Sequence, residues 1–562
     1  MYTTSAARFY INVVLLAGMV LLLLMPGIFS ELERNNWRFS LGAVKAWVLA
    51  ILFLLMPVVF FYRRIKWYLY LLACWILLTP LFIYALLLFE VKPGSELIFL
   101  ILQSNVTEMQ EIARGQIGWF FLFTFLYLFI YLFLVKKFSV KCLPIRPALS
   151  ISIFSVFLFA VLCYRNLFIR SLPASHFFSR YYPMSIISGV ADAYAIINRN
   201  NLDQARQFSF GAYKKDTVPQ RQIYVFIIGE TSRYDRWQIN GYHRATSPRL
   251  QQQKNLVRFT DMISGSNLTW LSVPQMITRA SPDDMDRQFR EKSIIQAFQD
   301  AGFKTAWLST QTDQQIIWQG SITMHAKTAD VVHFARTYSP IFELEEIYDE
   351  QLLPRMDSII RFSNDNLFIV LHTMGNHWSY AKRFPAGFDV FKPSGKTFPE
   401  KAYDMKDYEM VSNSYDNSIL YADFIIDSVI RRVEKEKTIS YVAFLSDHGE
   451  ELFDGGHKEL RFHTRVGATT LHVPFFLWTS DAWCRQYPEK RQAVIVNSDK
   501  KTGAENVFYS LLDMANISFP QMDVSRSVAS FEFRPSEQKF YDAIGRSCRY
   551  AEIGGGGYAA SK

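Results

Sequence analysis

The stretch Tyr441-Val442-Ala443-Phe444-Leu445 is followed directly by Ser446-Asp447-His448-Gly449-Glu450-Glu451. Its unbroken apolar residues predict a buried strand, which places the polar residues at the strand's carboxyl end. Open α/β sheets bind their ligands at that edge. Adjacent Asp and His side chains supply an oxygen and a nitrogen, a combination that suits zinc. An isolated Asp-His pair is more often an acidic turn, so the interpretation depends on partners elsewhere in the chain.

Similar apolar runs recur through the second half of the chain and alternate with helical patterns. This alternation predicts a mainly parallel central sheet with helices on both faces, an α/β fold. The predicted strands are Ile223–Ile228, Thr305–Leu308, Leu367–Leu371, Tyr441–Leu445 and Pro474–Trp478, and the clearest predicted helices are Ser293–Asp300 and Asn413–Glu434.

The first 170 residues have a different character. They contain five apolar segments without internal charge, each near the about 20 residues that span a bilayer. These segments are Tyr10–Phe29, Ala46–Tyr62, Trp67–Phe89, Ile117–Val135 and Pro147–Tyr164. Together they predict a five-helix membrane domain, because a soluble protein rarely carries so many.

Loop charges predict how the membrane domain is oriented. The loops at 63–66 and 136–146 carry Lys and Arg without any acid, whereas the loops at 30–45 and 90–116 contain several Glu residues. Basic loops stay in the cytoplasm. We therefore expect the α/β domain outside the bacterial inner membrane, in the periplasm. The predicted domains are the membrane domain at 1–170, an interfacial linker at 171–220 and a catalytic domain at 221–562.

Composition narrows the function classes further. The 562 residues carry a net charge of +9, but the sequence has no basic helix or aromatic-basic pattern typical of nucleic-acid binding. Much of the positive charge lies beside the apolar segments, so a nucleic-acid partner is not expected. Only Cys484 and Cys548 of the five cysteines fall in the α/β domain, where they could form one disulfide.

Residues that could share one site with Asp447 and His448 lie at other strand ends and at a predicted helix start. Glu230 follows the first predicted strand, so its carboxylate should stand at the same sheet edge. Thr269 precedes an apolar stretch that could begin a helix. A hydroxyl there is usually a cap, yet helix N-termini also favour phosphate groups. His377 follows the strand Leu367–Leu371, and His457 and His463 follow the Asp447 loop.

These motifs, in this order, resemble the phosphoethanolamine transferases of Gram-negative envelopes, which belong to the alkaline phosphatase and sulfatase superfamily. The stretches that carry the resemblance are Gly229 to Arg233, Asn240-Gly241-Tyr242, Thr246-Ser247-Pro248, Thr269 with Ser272-Val273-Pro274, His372 to His377, Asn413 to Tyr421, Ser446 to Glu450 and His472-Val473-Pro474. The resemblance implies an alkaline phosphatase-like α/β domain after five membrane helices.

The resemblance also implies roles for individual residues. Glu230, Thr269, Asp447 and His448 match the family's Zn²⁺ ligands, and Thr269 also matches its nucleophile. The implied substrate-binding residues are His377, His457, His463, Asn105, Glu108 and Glu111. The last three lie in an outer loop that is similar to the family's loop near the lipid.

The implied reaction takes phosphoethanolamine from phosphatidylethanolamine, places it on Thr269 and passes it to lipopolysaccharide. Family members that modify lipid A usually carry many periplasmic cysteines and a Lys in a Cys-rich loop. This chain has Gln311 and other Gln residues in that region, which favours a core sugar, Kdo or another glycan as the acceptor over lipid A. The alternatives are a phosphoglycerol transferase or another metal-dependent phosphodiesterase or sulfatase of the superfamily, and a non-catalytic envelope assembly protein.

Overall fold

The computed structural model describes residues 5–34, 40–89, 117–164, 181–199, 207–312, 320–336, 347–397, 405–454, 466–542 and 545–553, with a few single residues between these ranges. The described residues fall into two compact units, an N-terminal helical unit and an α/β unit. The domain limits 1–170, 171–220 and 221–562 stay predictions.

The helical unit contains five helices that are long and apolar enough to cross a membrane, counted over the described residues. Their sequence positions agree with the five predicted segments. The helices of this unit are α1 (Ser5–Arg34), α2 (Leu41–Leu55), α3 (Ile65–Phe89), α4 (Ile117–Lys137), α5 (Ile145–Tyr164) and α6 (Met184–Arg199).

The second membrane helix changes its winding partway along. Helix α2 begins after Ser40, whose hydroxyl accepts a hydrogen bond from the N–H of Ala43 over 3.1 Å. At Met56–Phe61 the chain continues as a 3₁₀ helix. Pro57 lies at this transition, where its missing N–H and its ring disfavour regular α-helical bonding. The two parts together cover the predicted segment Ala46–Tyr62 almost completely.

The α/β unit is built on a seven-stranded sheet among the described residues, in the order β3-β9-β8-β2-β7-β5-β6. Five strands run parallel to one another: β8, β2, β7, β5 and β6. Strand β9 is antiparallel to both β8 and β3. The strands of the unit are β1 (Tyr213–Lys214), β2 (Gln222–Gly229), β3 (Leu256–Phe259), β4 (Met262–Ile263), β5 (Lys304–Thr312), β6 (Val331–Arg336), β7 (Leu367–His372), β8 (Ile439–Ser446), β9 (Phe475–Thr479), β10 (Thr502–Gly503), β11 (Ile517–Ser518), β12 (Lys539–Tyr541) and β13 (Ser547–Arg549).

Helices cover the sheet. Among the described residues of this unit, the longest helix spans Tyr408–Lys435; it contains the predicted helix Asn413–Glu434 and extends beyond it at both ends. The helices of this unit are α7 (Thr269–Ile277), α8 (Arg287–Arg290), α9 (Ile294–Asp300), α10 (Gly320–Ala326), α11 (Leu352–Phe362), α12 (Tyr408–Lys435), α13 (Ala468–Leu471), α14 (Asp481–Gln486), α15 (Pro488–Asn497) and α16 (Val507–Met514).

The sheet confirms the predicted fold class and shows where the sequence prediction was incomplete. The five predicted strands are all present. The strands β3 and β6, at the two edges of the sheet, were missed. Both contain half-exposed residues and a charged side chain, so they lack the continuous apolar run that marks the buried strands β2 and β8. The possible link between Cys484 and Cys548 is not formed, because both are free thiols.

Candidate metal and nucleophile site

Strand register places Glu230 and Asp447 next to each other. Strands β2 and β8 pair in parallel up to Gly229 and Ser446, so each carboxylate is the next residue beyond the last pair. The N–H of Asp447 also donates to the carbonyl oxygen of Gly229 over 3.0 Å. Because side chains at the carboxyl ends of parallel neighbours share one edge, the predicted meeting of these two residues follows directly from the topology.

Glu230, Asp447 and His448 form a buried group with metal-binding geometry. One ligand atom from each lies within 4.8 Å of the others. His448 Nε2 lies 3.5 Å from Glu230 Oε1 and 3.4 Å from Asp447 Oδ2. The three side chains are almost completely buried. Two carboxylates and an imidazole are the donor types that zinc accepts.

Asp447 and His448 each use one side-chain atom in hydrogen bonds with the backbone and direct the other towards the group. Asp447 Oδ1 accepts from the N–H groups of Thr231 at 2.9 Å and His448 at 2.6 Å. Its other oxygen, Oδ2, is buried and accepts no hydrogen bond from the described residues. His448 Nδ1 donates to the carbonyl oxygen of Gly449 over 2.8 Å, which leaves Nε2 as the unprotonated nitrogen. A carboxylate oxygen and a ring nitrogen thus both point inward as electron-pair donors.

The electrostatics of the group also fit a cation. Burial, followed by the charge of Asp447, raises the pKa of Glu230 well above its usual range. Two neighbouring buried carboxylates repel each other when both are ionised. A divalent cation between them offsets this repulsion and the cost of burial. The residues present therefore fit a zinc ion.

Thr269 lies at this group, and its predicted roles as metal ligand and nucleophile stay predictions. Its Oγ1 is 3.3 Å from His448 Nε2 and 3.4 Å from each carboxylate oxygen of Glu230. Thr269 is the first residue of α7, whose N-cap residue Leu268 has no capping side chain. The first-turn N–H groups of a helix favour a negatively charged group. The hydroxyl therefore lies beside Glu230 and His448, at a helix N-terminus that favours an anion.

Helix α7 is attached to the backbone of Asp447, the residue that follows β8. Ser272 Oγ donates to the carbonyl oxygen of Asp447 over 2.6 Å. Ser264 Oγ contacts both the same carbonyl oxygen and Ser272 Oγ, the latter at 2.8 Å. These three residues are fully buried. The serine pair therefore fixes how far α7 lies from the end of β8.

The loop after β7 packs against Glu230 and carries His377. The N–H of Asn376 donates to the carbonyl oxygen of Glu230 over 2.9 Å. Gly375 has a φ of 48°, and a Cβ there would lie 2.8 Å from the Glu230 backbone. His377 Nδ1 lies 2.6 Å from the carbonyl oxygen of Trp378. His377 is outside the group formed by Glu230, Asp447 and His448, and its substrate-binding role stays a prediction.

The remaining predicted substrate residues cannot be placed. His457, His463, Asn105, Glu108 and Glu111 lie outside the described residues. Sequence reasoning also missed two residues that contact Glu230 directly. Thr231 Oγ1 donates to Oε1 over 2.7 Å, and Gln311 Nε2 donates to Oε2 over 3.2 Å. Their positions could have identified both residues, because each lies at the carboxyl end of a strand in the sheet that carries Glu230.

Comparisons with known proteins identify the family of the α/β unit. The family model described as Sulfatase matches residues 222–517. Kdo(2)-lipid A phosphoethanolamine 7''-transferase of Escherichia coli (strain K12) is 32% identical over 307 residues, which cover 53% of this chain and 50% of that protein. The chain thus spans about half the length of the curated relatives it matches.

Solved structures show the same fold. The integral membrane protein lipooligosaccharide phosphoethanolamine transferase A (EptA) from Neisseria meningitidis has a TM-score of 0.65 at 20% identity, covering 91% of this chain and 98% of that one. The periplasmic domain of EptC from Escherichia coli, in complex with Zn, has a TM-score of 0.54 at 23% identity, covering 61% of this chain and 98% of that one.

The membrane spans, the basic cytoplasmic loops and the shared architecture agree on an inner-membrane protein whose α/β domain is periplasmic. The family match covers more than half of the chain and contains Glu230, Thr269, Asp447 and His448. The chain therefore belongs to the sulfatase family, and the members that it resembles are phosphoethanolamine transferases.

Proposed function

We propose that this protein transfers phosphoethanolamine from phosphatidylethanolamine to a lipopolysaccharide acceptor, through a covalent intermediate on Thr269. The observation that carries the proposal is the position of Thr269 Oγ1, between His448 Nε2 at 3.3 Å and the Glu230 carboxylate at 3.4 Å. The names of the curated relatives support the transferred group, since they are phosphoethanolamine transferases. The membrane helices support a lipid donor.

The residues that would hold zinc are Glu230, Asp447, His448 and Thr269. A bound zinc ion supplies positive charge beside the Thr269 hydroxyl, which favours its ionised form near neutral pH. The EptC domain that shares this fold was solved with Zn. In this chain, the inward-facing Asp447 Oδ2 and the unprotonated His448 Nε2 support the same metal.

The transfer takes place in two balanced steps. First, the Thr269 hydroxyl gives its proton to water, Oγ1 forms a bond to phosphorus, and the bond from phosphorus to the diacylglycerol oxygen breaks. The released oxygen takes a proton from a histidine, for which we propose His377 or His457. In the second step the same histidine takes the proton of the acceptor hydroxyl, whose oxygen bonds to the same phosphorus. The bond from phosphorus to Thr269 Oγ1 breaks, and Oγ1 regains a proton from water.

We propose a core sugar of lipopolysaccharide as the acceptor. The cysteine content of the α/β domain and the position of Gln311 support this choice. The α/β domain has only Cys484 and Cys548, both of them free thiols. Gln311 stands at the carboxyl end of β5. The family resemblance implies a Cys-rich loop with a Lys in this region for members that modify lipid A. His463, Asn105, Glu108 and Glu111 complete the proposed substrate contacts.

The test is to trap the intermediate. Purified protein in detergent is incubated with phosphatidylethanolamine and no acceptor, and peptide mass spectrometry should locate phosphoethanolamine on Thr269. Thr269→Ala should carry no adduct and should lose transfer to lipopolysaccharide. Phosphatidylglycerol as the donor should leave no phosphoglycerol on the wild-type protein. A fully active Thr269→Ala variant, or an adduct formed only from phosphatidylglycerol, would refute the proposal.

A further inference from the structure

Gln311 makes a pair of contacts that connect three strands at the candidate site. It is 3% exposed and lies near the carboxyl end of β5. Its Nε2 donates to Glu230 Oε2 over 3.2 Å and to the carbonyl oxygen of Thr373 over 3.1 Å. Glu230 follows β2, and Thr373 follows β7. One amide group therefore joins the carboxyl ends of β5, β2 and β7.

The two contacts fix the orientation of this amide. Both of its neighbours, a carboxylate oxygen and a backbone carbonyl oxygen, are acceptors only. A primary amide nitrogen has two hydrogens, and each contact uses one of them. Turning the amide over would place its oxygen against two acceptors. The nitrogen of Gln311 is thus held towards Glu230.

The backbone that carries Gln311 is fixed as well. Its N–H donates to Ser309 Oγ over 2.9 Å. The preceding residue, Thr310, accepts from the N–H of Met374 over 2.8 Å and donates to Asp349 Oδ1 over 2.5 Å. These contacts attach the end of β5 to the loop that continues towards His377. A donor on such a strand end holds its partner more firmly than one on a free loop.

Glu230 is therefore held on both sides by uncharged donors. Thr231 Oγ1 donates to Oε1 over 2.7 Å, opposite the contact of Gln311 with Oε2. Thr269 Oγ1 lies 3.4 Å from both of these oxygens. A Lys or Arg in place of Gln311 would compete with a metal ion for the carboxylate. An uncharged amide instead orients the carboxylate and leaves its negative charge for the metal.

We propose that Gln311 is a positioning residue of the transfer site, which orients the Glu230 carboxylate towards the metal and Thr269. The inference rests on the proposed function, because it assumes that Glu230 is a zinc ligand. Gln311 acts through Glu230 and is not a substrate contact. Its loss should lower zinc affinity and kcat, and should leave KM for phosphatidylethanolamine unchanged.

The experiment compares two glutamines that each make two amide hydrogen bonds. Gln311→Met keeps the length of the side chain and removes the donor. The matched control is Gln299→Met, because Gln299 Nε2 donates to Thr305 Oγ1 and the Thr328 carbonyl oxygen, both over 3.0 Å, near the start of β5. Zinc affinity is measured by competition with a chelator on purified full-length protein in detergent.

Gln311→Met should lower zinc affinity by about 10–100-fold, the usual effect of removing a group that orients a metal ligand. With zinc in excess it should still show a reduced kcat and a wild-type KM. Gln299→Met should show wild-type values for all three quantities. If Gln311→Met does not fold, Gln311→Asn replaces it, since the shorter amide cannot reach both acceptors.

The outcomes separate this inference from the proposed function. Wild-type protein that binds zinc and forms the Thr269 adduct, with a Gln311→Met variant of equal zinc affinity and kcat, overturns the role of Gln311 alone. A raised KM with unchanged zinc affinity also overturns it, because that result assigns Gln311 to substrate binding. Wild-type protein without zinc and without adduct overturns both.

Discussion

The N–H of Thr231 donates to Asp447 Oδ1 over 2.9 Å, so the residue after Glu230 holds the carboxylate of Asp447. Thr231 also donates its hydroxyl to Glu230 Oε1 over 2.7 Å. It does so with a φ of 58°, which is unfavourable for a β-branched residue. Contacts on both sides maintain this strained conformation, as is common at functional sites.

The Thr231 hydroxyl should therefore affect metal binding. Thr231→Val preserves the shape of the side chain and removes its donor to Glu230, and we expect zinc affinity to fall by about tenfold. Thr231→Ser keeps the hydroxyl and should retain wild-type affinity. Competition with a chelator measures both variants. Equal affinities for the Val and Ser variants would show that the hydroxyl does not orient Glu230.

Zinc should stabilise the protein through its buried carboxylates. At a free zinc concentration about 100-fold above Kd, we expect a stabilisation of roughly 2.7 kcal/mol, because the ion binds the folded state only. Asp447→Asn removes one charged ligand and should abolish most of this effect. Glu434→Gln changes an exposed carboxylate on α12 and serves as the control. Thermal unfolding in detergent, with and without a chelator, provides the measurement.

Two results would contradict the prediction that zinc stabilises the protein. If zinc stabilises Asp447→Asn as much as wild type, Asp447 is not a ligand. If the wild-type unfolding midpoint is the same with added zinc and with a chelator, the folded protein does not bind zinc at this site.

The sequence predicted the features that depend on local pattern and strand order. Continuous apolar runs identified the membrane helices and the buried strands, such as β8. Because Glu230 and Asp447 each follow a predicted strand, the sequence also predicted that their carboxylates lie close together. The edge strand β3 was missed because its residues are half exposed. The contact from Gln311 to Glu230 was missed because it depends on the spatial neighbours of β5, which sequence separation does not reveal.

Gly375 should be needed for the packing of its loop against Glu230. Its φ of 48° disfavours any other residue, and a Cβ would lie 2.8 Å from both the N and the O atom of Glu230. Gly375→Ala should therefore destabilise the protein by about 1–3 kcal/mol from backbone strain alone. It should also lower transfer activity, because the clash displaces Glu230, the proposed metal ligand. Thermal unfolding and transfer assays measure the two effects.

Gly387→Ala is the matched control for Gly375→Ala. A Cβ on Gly387 would meet no atom within 4 Å, and its backbone is not in the left-handed region. This variant should keep wild-type stability and activity. A Gly375→Ala variant that behaves like Gly387→Ala would show that the loop tolerates a side chain beside Glu230.

His325 should make stability depend on pH. It is fully buried in α10, its Nε2 lies 3.0 Å from the carbonyl oxygen of Gln288, and burial lowers the pKa of His325 from 6.5 to about 4. Between these values the unfolded chain binds a proton that the folded protein does not. The free energy of unfolding should thus fall as the pH decreases from 6.5 to 4, by up to roughly 3 kcal/mol from this residue.

His325→Gln tests this pH dependence, since glutamine can donate to the same carbonyl oxygen and does not titrate. The variant should lose less stability than wild type between pH 6.5 and 4, as measured by thermal unfolding at a series of pH values. His243→Gln, at an exposed position, should follow the wild-type curve. Parallel pH curves for wild type and His325→Gln would contradict the prediction, because the proton taken up on unfolding would then belong to other groups.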